Sequence, residues 1–399
     1  MVVNRDSFFL SHRLPLARGA RDTGMEVVVV AGETGSGRAI EREGFPFVPL
    51  PISRSGLNPL IEARTLVFLV RLYRRLRPDL VHHSTIKPVV YGSLAVRVAG
   101  RAAVVNTISG LGYALTPGDN VAKLVRRPLL LLLRAALSQP RSRTIFQNPE
   151  DLRDFVRLGL LPESAAVLVR GSGVDCTEFC VAPEPNDRPL VMLAARMLWD
   201  KGVEEFVGAA RLLRSGGVDA RFALVGAPDD GNRRGIPLAR LEAWTREGVI
   251  EWWGHRQDMP QVLARATIVV LPSTYGEGLP KVLLEAAASG RPIVATDLRG
   301  CREIVREGVN GFLVPPRDIE ALAAAIRRCL ASPQLRAAFG QAGRALVEAE
   351  FAEGGVIERT LTVYRDALAL PARVSGEPSW PSAHATVQRM PSWTDSHGT

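Results

Sequence analysis

The sequence lacks a disulfide framework, and it lacks a membrane-spanning or targeting segment. Each absence excludes a class of protein. The chain has four cysteines, Cys176, Cys180, Cys301 and Cys329, which are too few and too scattered for a disulfide framework. No run approaches the roughly 18 consecutive apolar residues that a membrane span requires, and no signal-peptide pattern opens the chain. We therefore predict a cytoplasmic protein without disulfide bonds.

Asp-x-Asp pairs are absent from the sequence, and lysines are scarce. No Asp-x-Asp pair occurs, so the sequence offers no acidic pair for a divalent metal ion, and we predict none. Only four of the 50 basic residues are lysines, namely Lys87, Lys123, Lys201 and Lys281, which makes each a candidate for a site that needs a compact ammonium group. The net charge of +9 favours an anionic partner. Because zinc fingers, aromatic RNA-binding motifs and basic tails are missing, nucleic acid is not expected.

What the sequence does contain is two series of alternating strand and helix patterns. Short β-branched runs such as residues 25–31 alternate with helical periodicity such as residues 61–76, and the alternation restarts after a proline-rich stretch at 180–189. This pattern predicts an α/β protein with two Rossmann-like domains and largely parallel sheets that face a cleft. Ligands are expected in that cleft, at the carboxyl ends of the strands.

The domain limits follow from the same pattern. We predict an N-terminal domain over residues 1–175 with a shortened first strand, a linker over 176–189 and a second domain over 190–354. A helix at 355–370 is expected to pack back toward the first domain. The tail, residues 371–399, is rich in Pro, Ser, Thr and His and is predicted to be disordered.

The segment 268–316 reads as strand, glycine-containing loop, helix and strand. Pro280 suits the first position of the helix, and free backbone amides there, with the helix dipole, favour an anion such as a diphosphate. Glu277 in the loop and Glu285 in the helix are suited to accept hydrogen bonds from sugar or ribose hydroxyls. The alternative is that Glu285 is a solvated helix residue and Glu277 a favourable charge at a helix start.

A second segment, residues 194–202, carries two cations. Arg196 ends a strand and Lys201 precedes a helix. Together they could neutralise a leaving diphosphate, as a metal ion does in other transferases. The alternative is a pair of solvated loop charges.

The segment 268–316 resembles the signature of the family-4 glycosyltransferases (GT4), retaining enzymes of GT-B fold, and the likeness covers most of the chain up to about residue 368. The resemblance implies a nucleotide-sugar donor, predicted to be UDP-linked, and no cofactor. Arg196 and Lys201 would contact the diphosphate, which the amides of Gly278 and Leu279 would help to hold. Glu277 would face the donor sugar and Glu285 the ribose. A retaining mechanism without a clear nucleophile would be a front-face displacement.

Two N-terminal segments resemble the acceptor side of bacterial GT4 enzymes. Residues 8–17 are similar to the first loop of members that act on lipid-linked or cell-surface glycans. Residues 78–112 are similar to members that add N-acetylated sugars to polyprenyl-diphosphate-linked glycans. The candidate acceptor residues are His12, His82, His83, Lys87 and Ser109. Ser109 stands where many members carry a histidine, His12 could instead be a helix-start residue, and His82 could be a buried, satisfied histidine.

Residues 122–136, from Ala122 to Ala136, combine five consecutive leucines with flanking cations. Such a segment can lie on an anionic membrane surface, or it can be a buried helix whose arginines snorkel to solvent. The membrane interpretation suits a polyprenyl-linked acceptor and predicts a peripheral protein on the inner face of the cytoplasmic membrane.

The sequence thus predicts a transferase that moves a sugar, expected to be N-acetylated, from a UDP-sugar to a lipid-linked or cell-surface glycan. One alternative is a UDP-sugar 2-epimerase of the same fold, which needs no acceptor. The other is an inactive scaffold that binds glycan or lipid. A P-loop at residues 32–38 is rejected because Arg38 and Ala39 stand where Lys and Ser or Thr must hold phosphate and Mg²⁺.

Overall fold

The computed structural model describes residues 1–53, 58–100, 102–109, 120–229, 231–232 and 234–370, and the side chains of these except 120–127. Within them two parallel sheets are covered by helices. The predicted α/β class with two parallel sheets is confirmed. The predicted disorder of 371–399 lies outside the described residues, and the domain limits stay predictions.

The first sheet has seven parallel strands in the order β3-β2-β1-β4-β5-β6-β7. These strands are β1 (Val2–Val3), β2 (Val29–Ala31), β3 (Phe47–Pro49), β4 (Leu80–Ser84), β5 (Ala103–Ile108), β6 (Ser142–Phe146) and β7 (Ala166–Leu168). Strand β1 is only two residues long but lies in the middle of the sheet, where Val2 pairs with Val30 on one side and His83 on the other. The strand order reverses between β1 and β4, which makes their carboxyl ends a switch point of the kind that binds ligands.

The helices of this half are α1 (Asp6–His12), α2 (Leu14–Asp22), α3 (Gly37–Arg42), α4 (Pro59–Leu76), α5 (Ile86–Ala99), α6 (Asn120–Leu137) and α7 (Pro149–Arg157). Two of them begin with a side-chain cap followed by proline: Asn58 accepts from the Leu60 amide, and Asn148 accepts from the Asp151 amide. These caps satisfy amides that have no partner inside the helix. Sequence patterning missed β3, which is bounded by Pro46 and Pro49.

The second sheet has six parallel strands in the order β10-β9-β8-β11-β12-β13. They are β8 (Leu190–Ala194), β9 (Arg221–Val225), β10 (Glu251–Trp252), β11 (Ile268–Leu271), β12 (Ile293–Thr296) and β13 (Gly311–Val314). Its helices are α8 (Val203–Ser215), α9 (Leu238–Arg246), α10 (Met259–Ala264), α11 (Lys281–Ala288), α12 (Arg299–Arg302), α13 (Ile319–Ala331) and α14 (Pro333–Glu350). Strands β8 and β11 are buried on both faces, as continuous apolar runs in parallel sheets are.

The last described helix, α15 (Glu353–Ala369), returns to the first sheet. Its Val363 and Tyr364 pack in one buried cluster with Ala103 and Val105 of β5 and Ile145 of β6. The chain therefore crosses between the two sheets twice, and the second crossing places a residue near the end of the chain inside the N-terminal core.

Candidate active site between the two sheets

Lys201 and Glu277 meet at the carboxyl ends of the central strands of the second sheet. Gly202 follows Lys201 with φ of 69°, and any side chain there would collide with the carbonyl oxygen of Pro272. This close approach brings Lys201 to the end of β11, where its Nζ lies 2.6 Å from Glu277 Oε1. Ser273 donates from its hydroxyl to the same oxygen. The structure thus brings together a cation and a carboxylate that the sequence places 76 residues apart.

The loop between β11 and α11 reaches across to the first sheet. At Gly278 a side chain would collide with the carbonyl oxygen of Ser109, which follows β5, so this contact requires glycine. Among the described residues, the amides of Gly278 and Leu279 have no hydrogen-bond acceptor. Two free amides just before α11 (Lys281–Ala288) form an arrangement that can bind an anion.

Arg196 and Glu285 were predicted to bind the diphosphate and the ribose of the donor. Arg196 is 53% exposed and donates to Asp229 at 2.7 Å. Glu285 is only 8% exposed, and burial raises the pKa of its carboxyl although Lys281, 3.4 Å away, acts against that shift. Lys281 also donates to the carbonyl oxygen of Ser11 at 3.0 Å and so links α11 to the end of α1. Arg196 is thus a half-exposed cation with one carboxylate partner, and Glu285 is a largely buried carboxylate beside Lys281.

His12 faces the same region from the N-terminal half. Its ring stacks on Phe8 with 4.4 Å between centroids, and its Nδ1 lies 2.7 Å from Ser11 Oγ. Burial, and then the positive charges of Lys281, Arg13 and Arg196, lower the pKa of His12 to about 3. His12 is therefore uncharged at neutral pH and stands within the field of three cations.

The structure does not place His82 and His83 at an acceptor surface, which corrects the expectation for both. Each is at most 2% exposed. His82 bonds Tyr364 Oη at 2.6 Å and Thr107 Oγ1 at 2.7 Å. His83 bonds Tyr73 Oη and Asn106 Oδ1, both at 2.9 Å. All four ring nitrogens have partners inside the fold, so these histidines are satisfied core residues.

Lys87 contacts α4 (Pro59–Leu76). Its Nζ pairs with Glu62 and donates to the carbonyl oxygen of Ser53 at 2.9 Å. Ser109, in contrast, lies against Gly278 through its backbone. Of the five predicted acceptor residues, His12 and Ser109 are therefore the ones that the structure brings next to the donor-side segments.

A set of ion pairs between α7 and α12 was not predicted. Arg299 lies 3.1 Å from Asp151 and 2.6 Å from Asp154, and Arg302 lies 2.9 Å from Glu150. Asp151 also accepts from Asn148, the cap of α7. The partners are about 145 residues apart in sequence and carry no shared motif. No signal in a single sequence identifies such pairs.

Helix α6 bears on the membrane prediction. Its described side chains include buried Leu133 and Leu137, while Leu131 is 69% exposed and Leu132 is 45% exposed. The side chains of its first part lie outside the described residues. Across the described ranges no helix is long and apolar enough to cross a membrane. Within the same ranges, no cluster of His, Cys, Asp and Glu has a metal-binding arrangement.

Two family models match the chain, one in each half. Residues 1–148 match the family model described as "Glycosyl transferase 4-like", and residues 188–332 match "Glycosyl transferases group 1".

One curated relative, from Campylobacter jejuni, is 27% identical over 349 residues, which are 82% of this chain and 90% of the relative. Its name is N,N'-diacetylbacillosaminyl-diphospho-undecaprenol alpha-1,3-N-acetylgalactosaminyltransferase. A UDP-Gal:alpha-D-GlcNAc-diphosphoundecaprenol alpha-1,3-galactosyltransferase of Escherichia coli is 26% identical, with coverages of 70% and 73%. Both names describe transfer to an undecaprenol-diphosphate-linked sugar.

Solved structures share the fold. The HepE protein of Anabaena, in complex with UDP and glucose, superposes with a TM-score of 0.72 at 20% identity and coverages of 91% and 99%. Sucrose-phosphate synthase of Thermosynechococcus elongatus gives 0.75 at 22% identity, with coverages of 89% and 92%. At these identities the likeness concerns the arrangement of the two sheets.

Proposed function

Because the chain belongs to the family-4-like glycosyltransferases of GT-B fold, we propose that it transfers a sugar from a UDP-sugar to a polyprenyl-diphosphate-linked glycan, with retention of configuration and without a metal ion. One observation carries the donor assignment: the Lys201–Glu277 pair adjoins a loop whose two amides are free. The names of two relatives, which describe undecaprenol-diphosphate acceptors, support the acceptor class. An N-acetylated donor sugar is part of the same proposal.

On the donor side, each group has a distinct task. Lys201 and Arg196 would neutralise the diphosphate as it leaves, and the Gly278 and Leu279 amides would hold its oxygens. Each cation already has a carboxylate partner, Glu277 or Asp229. Binding of a diphosphate would replace a carboxylate with a more strongly charged anion, which releases Glu277 to accept hydrogen bonds from the donor sugar. Glu285 would accept from the ribose hydroxyls.

The transfer step follows from these positions. The bond between the anomeric carbon and the diphosphate oxygen breaks while the acceptor hydroxyl forms a new bond on the same face. The proton of that hydroxyl passes to the departing diphosphate oxygen, so no protein base is required. His12, with its pKa lowered to about 3, would act as an uncharged neighbour of the reacting groups.

Membrane association is a second part of the proposal. A polyprenyl acceptor lies in a bilayer, and α6 exposes Leu131 and Leu132 beside the exposed Arg134. Apolar side chains with adjacent cations bind anionic interfaces.

Vesicles with anionic lipid should bind the protein in a salt-sensitive manner, and neutral vesicles should bind it less. Replacing Leu131 and Leu132 with Gln should weaken this binding, whereas Leu212→Gln, an exposed leucine of α8, should not; equal binding to both vesicle types would refute the membrane proposal.

The direct test of function is a transfer assay with an undecaprenyl-diphosphate-linked N-acetylhexosamine and a panel of UDP-, GDP- and ADP-sugars, with and without EDTA. We expect one UDP-sugar to yield an elongated lipid, with or without EDTA, and an α-linked product from an α-linked donor. Isomerisation of a UDP-sugar in the absence of acceptor would support an epimerase instead. No turnover and no donor binding by the folded protein would support a scaffold.

A further inference from the structure

Arg13 occupies the switch point of the first sheet. It joins α1 (Asp6–His12) to α2 (Leu14–Asp22), and its Nε donates to Ser84 Oγ at 3.0 Å. Ser84 is the last residue of β4, and β4 is the neighbour of β1 at which the strand order reverses. In open α/β sheets this crevice, at the carboxyl ends of the two strands, is where ligands bind.

The charge of Arg13 is buried and unpaired. The residue is 5% exposed, and among the described residues its guanidinium has no carboxylate partner and a single hydrogen-bond partner, Ser84 Oγ. Burial lowers the pKa of its guanidinium to about 10, and Tyr364 acts weakly against this shift. A buried cation without a partner is strongly destabilising. The first half of the protein thus holds a positive charge that nothing in its described part neutralises.

Three more polar atoms lie unpaired at the same strand ends. Asn4 Oδ1 and Arg5 Nε directly follow β1, Thr85 Oγ1 directly follows β4, and all three are buried without a hydrogen-bond partner. Because Val2 pairs with His83, Asn4 and Thr85 lie at the same level of the two strands. Buried polar atoms are paired in the great majority of cases, so a group of unpaired atoms at one place requires an explanation.

Thr85 also has an unfavourable backbone. Its φ is 76° and its ψ is 156°, a region that β-branched residues avoid. Strained conformations of this kind are concentrated at ligand sites, where the surrounding structure maintains them. The strain supports the location that the unpaired atoms already indicate.

We propose that Arg13, Ser84, Thr85 and Asn4 form a subsite for an anionic oxygen group of the acceptor, of the phosphoryl class. A guanidinium whose terminal nitrogens are uncommitted can hold two oxygens of one phosphate. The Thr85 hydroxyl supplies a further donor, and Asn4 Oδ1 can accept from a neighbouring hydroxyl of the ligand.

The subsite and the donor loop contact neighbouring strands of the first sheet, β4 and β5. Gly278 contacts Ser109, beyond the end of β5, whereas Arg13 contacts the end of β4 beside β1. The two proposed anion-binding regions therefore adjoin each other but use the ends of different strands. The identification of the ligand as the acceptor rests on the proposed function, but anion binding by Arg13 does not.

The test uses the full chain and inorganic pyrophosphate, titrated by calorimetry in the presence of saturating UDP. We expect Arg13→Gln to weaken pyrophosphate binding by about ten- to a hundredfold, the loss of one or two charge-assisted hydrogen bonds. Arg18→Gln, which changes an exposed arginine on the same helix pair, should bind as the wild type does. Equal affinity in Arg13→Gln would overturn the proposal, and so would binding that Lys201→Ala abolishes while Arg13→Gln leaves it intact.

A second variant keeps the proposal testable if Arg13→Gln does not fold. Thr85→Val preserves side-chain shape and removes a hydroxyl that has no partner in the unliganded protein. We expect a several-fold loss of pyrophosphate affinity without loss of thermal stability, since a purely structural hydroxyl would show the reverse. Unchanged affinity in Thr85→Val and in Ser84→Ala would also refute the subsite.

Failure of the proposed function is distinguishable from failure of the subsite. If pyrophosphate binding depends on Arg13 but no UDP-sugar is transferred, the subsite stands and the transferase proposal fails. If transfer to the polyprenyl-linked acceptor is normal in Arg13→Gln, with an unchanged KM for that acceptor, the subsite proposal fails.

Discussion

Cations near the contact between the two halves of the protein are partnered differently in the two halves. We call Lys201, Arg196, Lys281 and their carboxylate partners the C-terminal wall, and Arg13 with the ends of β1 and β4 the N-terminal wall. On the C-terminal wall the cations have carboxylate partners: Lys201 with Glu277, Arg196 with Asp229, and Lys281 with Glu285. On the N-terminal wall Arg13 has no carboxylate partner among the described residues.

The difference suggests two ways of preparing an anion site. A paired cation is stable without ligand, and it exchanges one anion for another when the ligand arrives. An unpaired buried cation weakens the unliganded fold, and ligand binding removes that cost. We expect paired cations where a diphosphate must be both bound and released. We expect an unpaired buried cation where an acceptor must be selected.

Lys201→Ala should have the largest effect. Loss of one preorganised group that stabilises leaving charge costs about 10²- to 10³-fold in kcat, and in this variant Glu277 is also left without its cation. Steady-state transfer kinetics measure the change. Arg211→Ala, which removes an exposed ion pair on α8, serves as the control and should leave kcat unchanged. Normal turnover by Lys201→Ala would mean that the C-terminal wall is not the donor site.

Acid sensitivity should come from His83, a histidine buried in the core of the first sheet. Burial lowers the pKa of His83 to about 4. Because the unfolded chain protonates this residue near pH 6.5, its contribution to stability is complete above about pH 6.5 and is lost as the pH falls toward about 4. Urea unfolding from neutral pH to about pH 4.5 should show a decline of a few kcal/mol that is smaller in His83→Gln.

The exposed His255 provides the control for that experiment. His255→Gln should reproduce the wild-type decline between about pH 6.5 and about pH 4.5. A decline that is identical in His83→Gln would show that the buried histidine is not its source.

Tyr364→Phe should have a smaller effect, on stability alone. The substitution leaves His82 Nδ1 buried without the partner that it now has at 2.6 Å. An unsatisfied buried polar group costs about 1–3 kcal/mol, which thermal or urea unfolding detects. The kcat of the folded enzyme should not change, and a fall in kcat without a fall in stability would return His82 to the list of acceptor residues.

The sequence groups the residues of the proposed donor site better than those of the proposed acceptor site, for a physical reason. Glu277, Gly278 and Glu285 belong to one loop and helix, so a contiguous motif records their arrangement. The environment of His82 depends on Tyr364, 282 residues later, and no local pattern reports that contact.

Arg13 was overlooked for a similar reason. The sequence predicts a role for the neighbouring His12. That Arg13 lacks an acidic partner among the described residues is visible only in the folded protein. The strand alternation predicted both parallel sheets, but it missed β3, where Pro46 and Pro49 obscure the pattern.

The ion pairs between α7 and α12 should give the smallest effects when they are removed. Arg302 is 44% exposed and pairs with Glu150, so Arg302→Gln should cost less than about 1 kcal/mol of unfolding free energy. Arg299 instead contacts Asp151, which is 4% exposed, so Arg299→Gln should cost more. Urea unfolding in low and high salt measures the loss of unfolding free energy in the two variants. An equal loss in both, abolished by high salt, would contradict the expected difference between Arg299 and Arg302.

Calorimetric titration of UDP into the wild type, Lys201→Ala and Arg13→Gln tests most directly the claim that the two walls bind different ligands. Lys201→Ala should lose most of the UDP affinity, and Arg13→Gln should bind UDP as the wild type does. Loss of UDP binding in Arg13→Gln with retention in Lys201→Ala would place the nucleotide on the N-terminal wall and refute the assignment of the donor to Lys201.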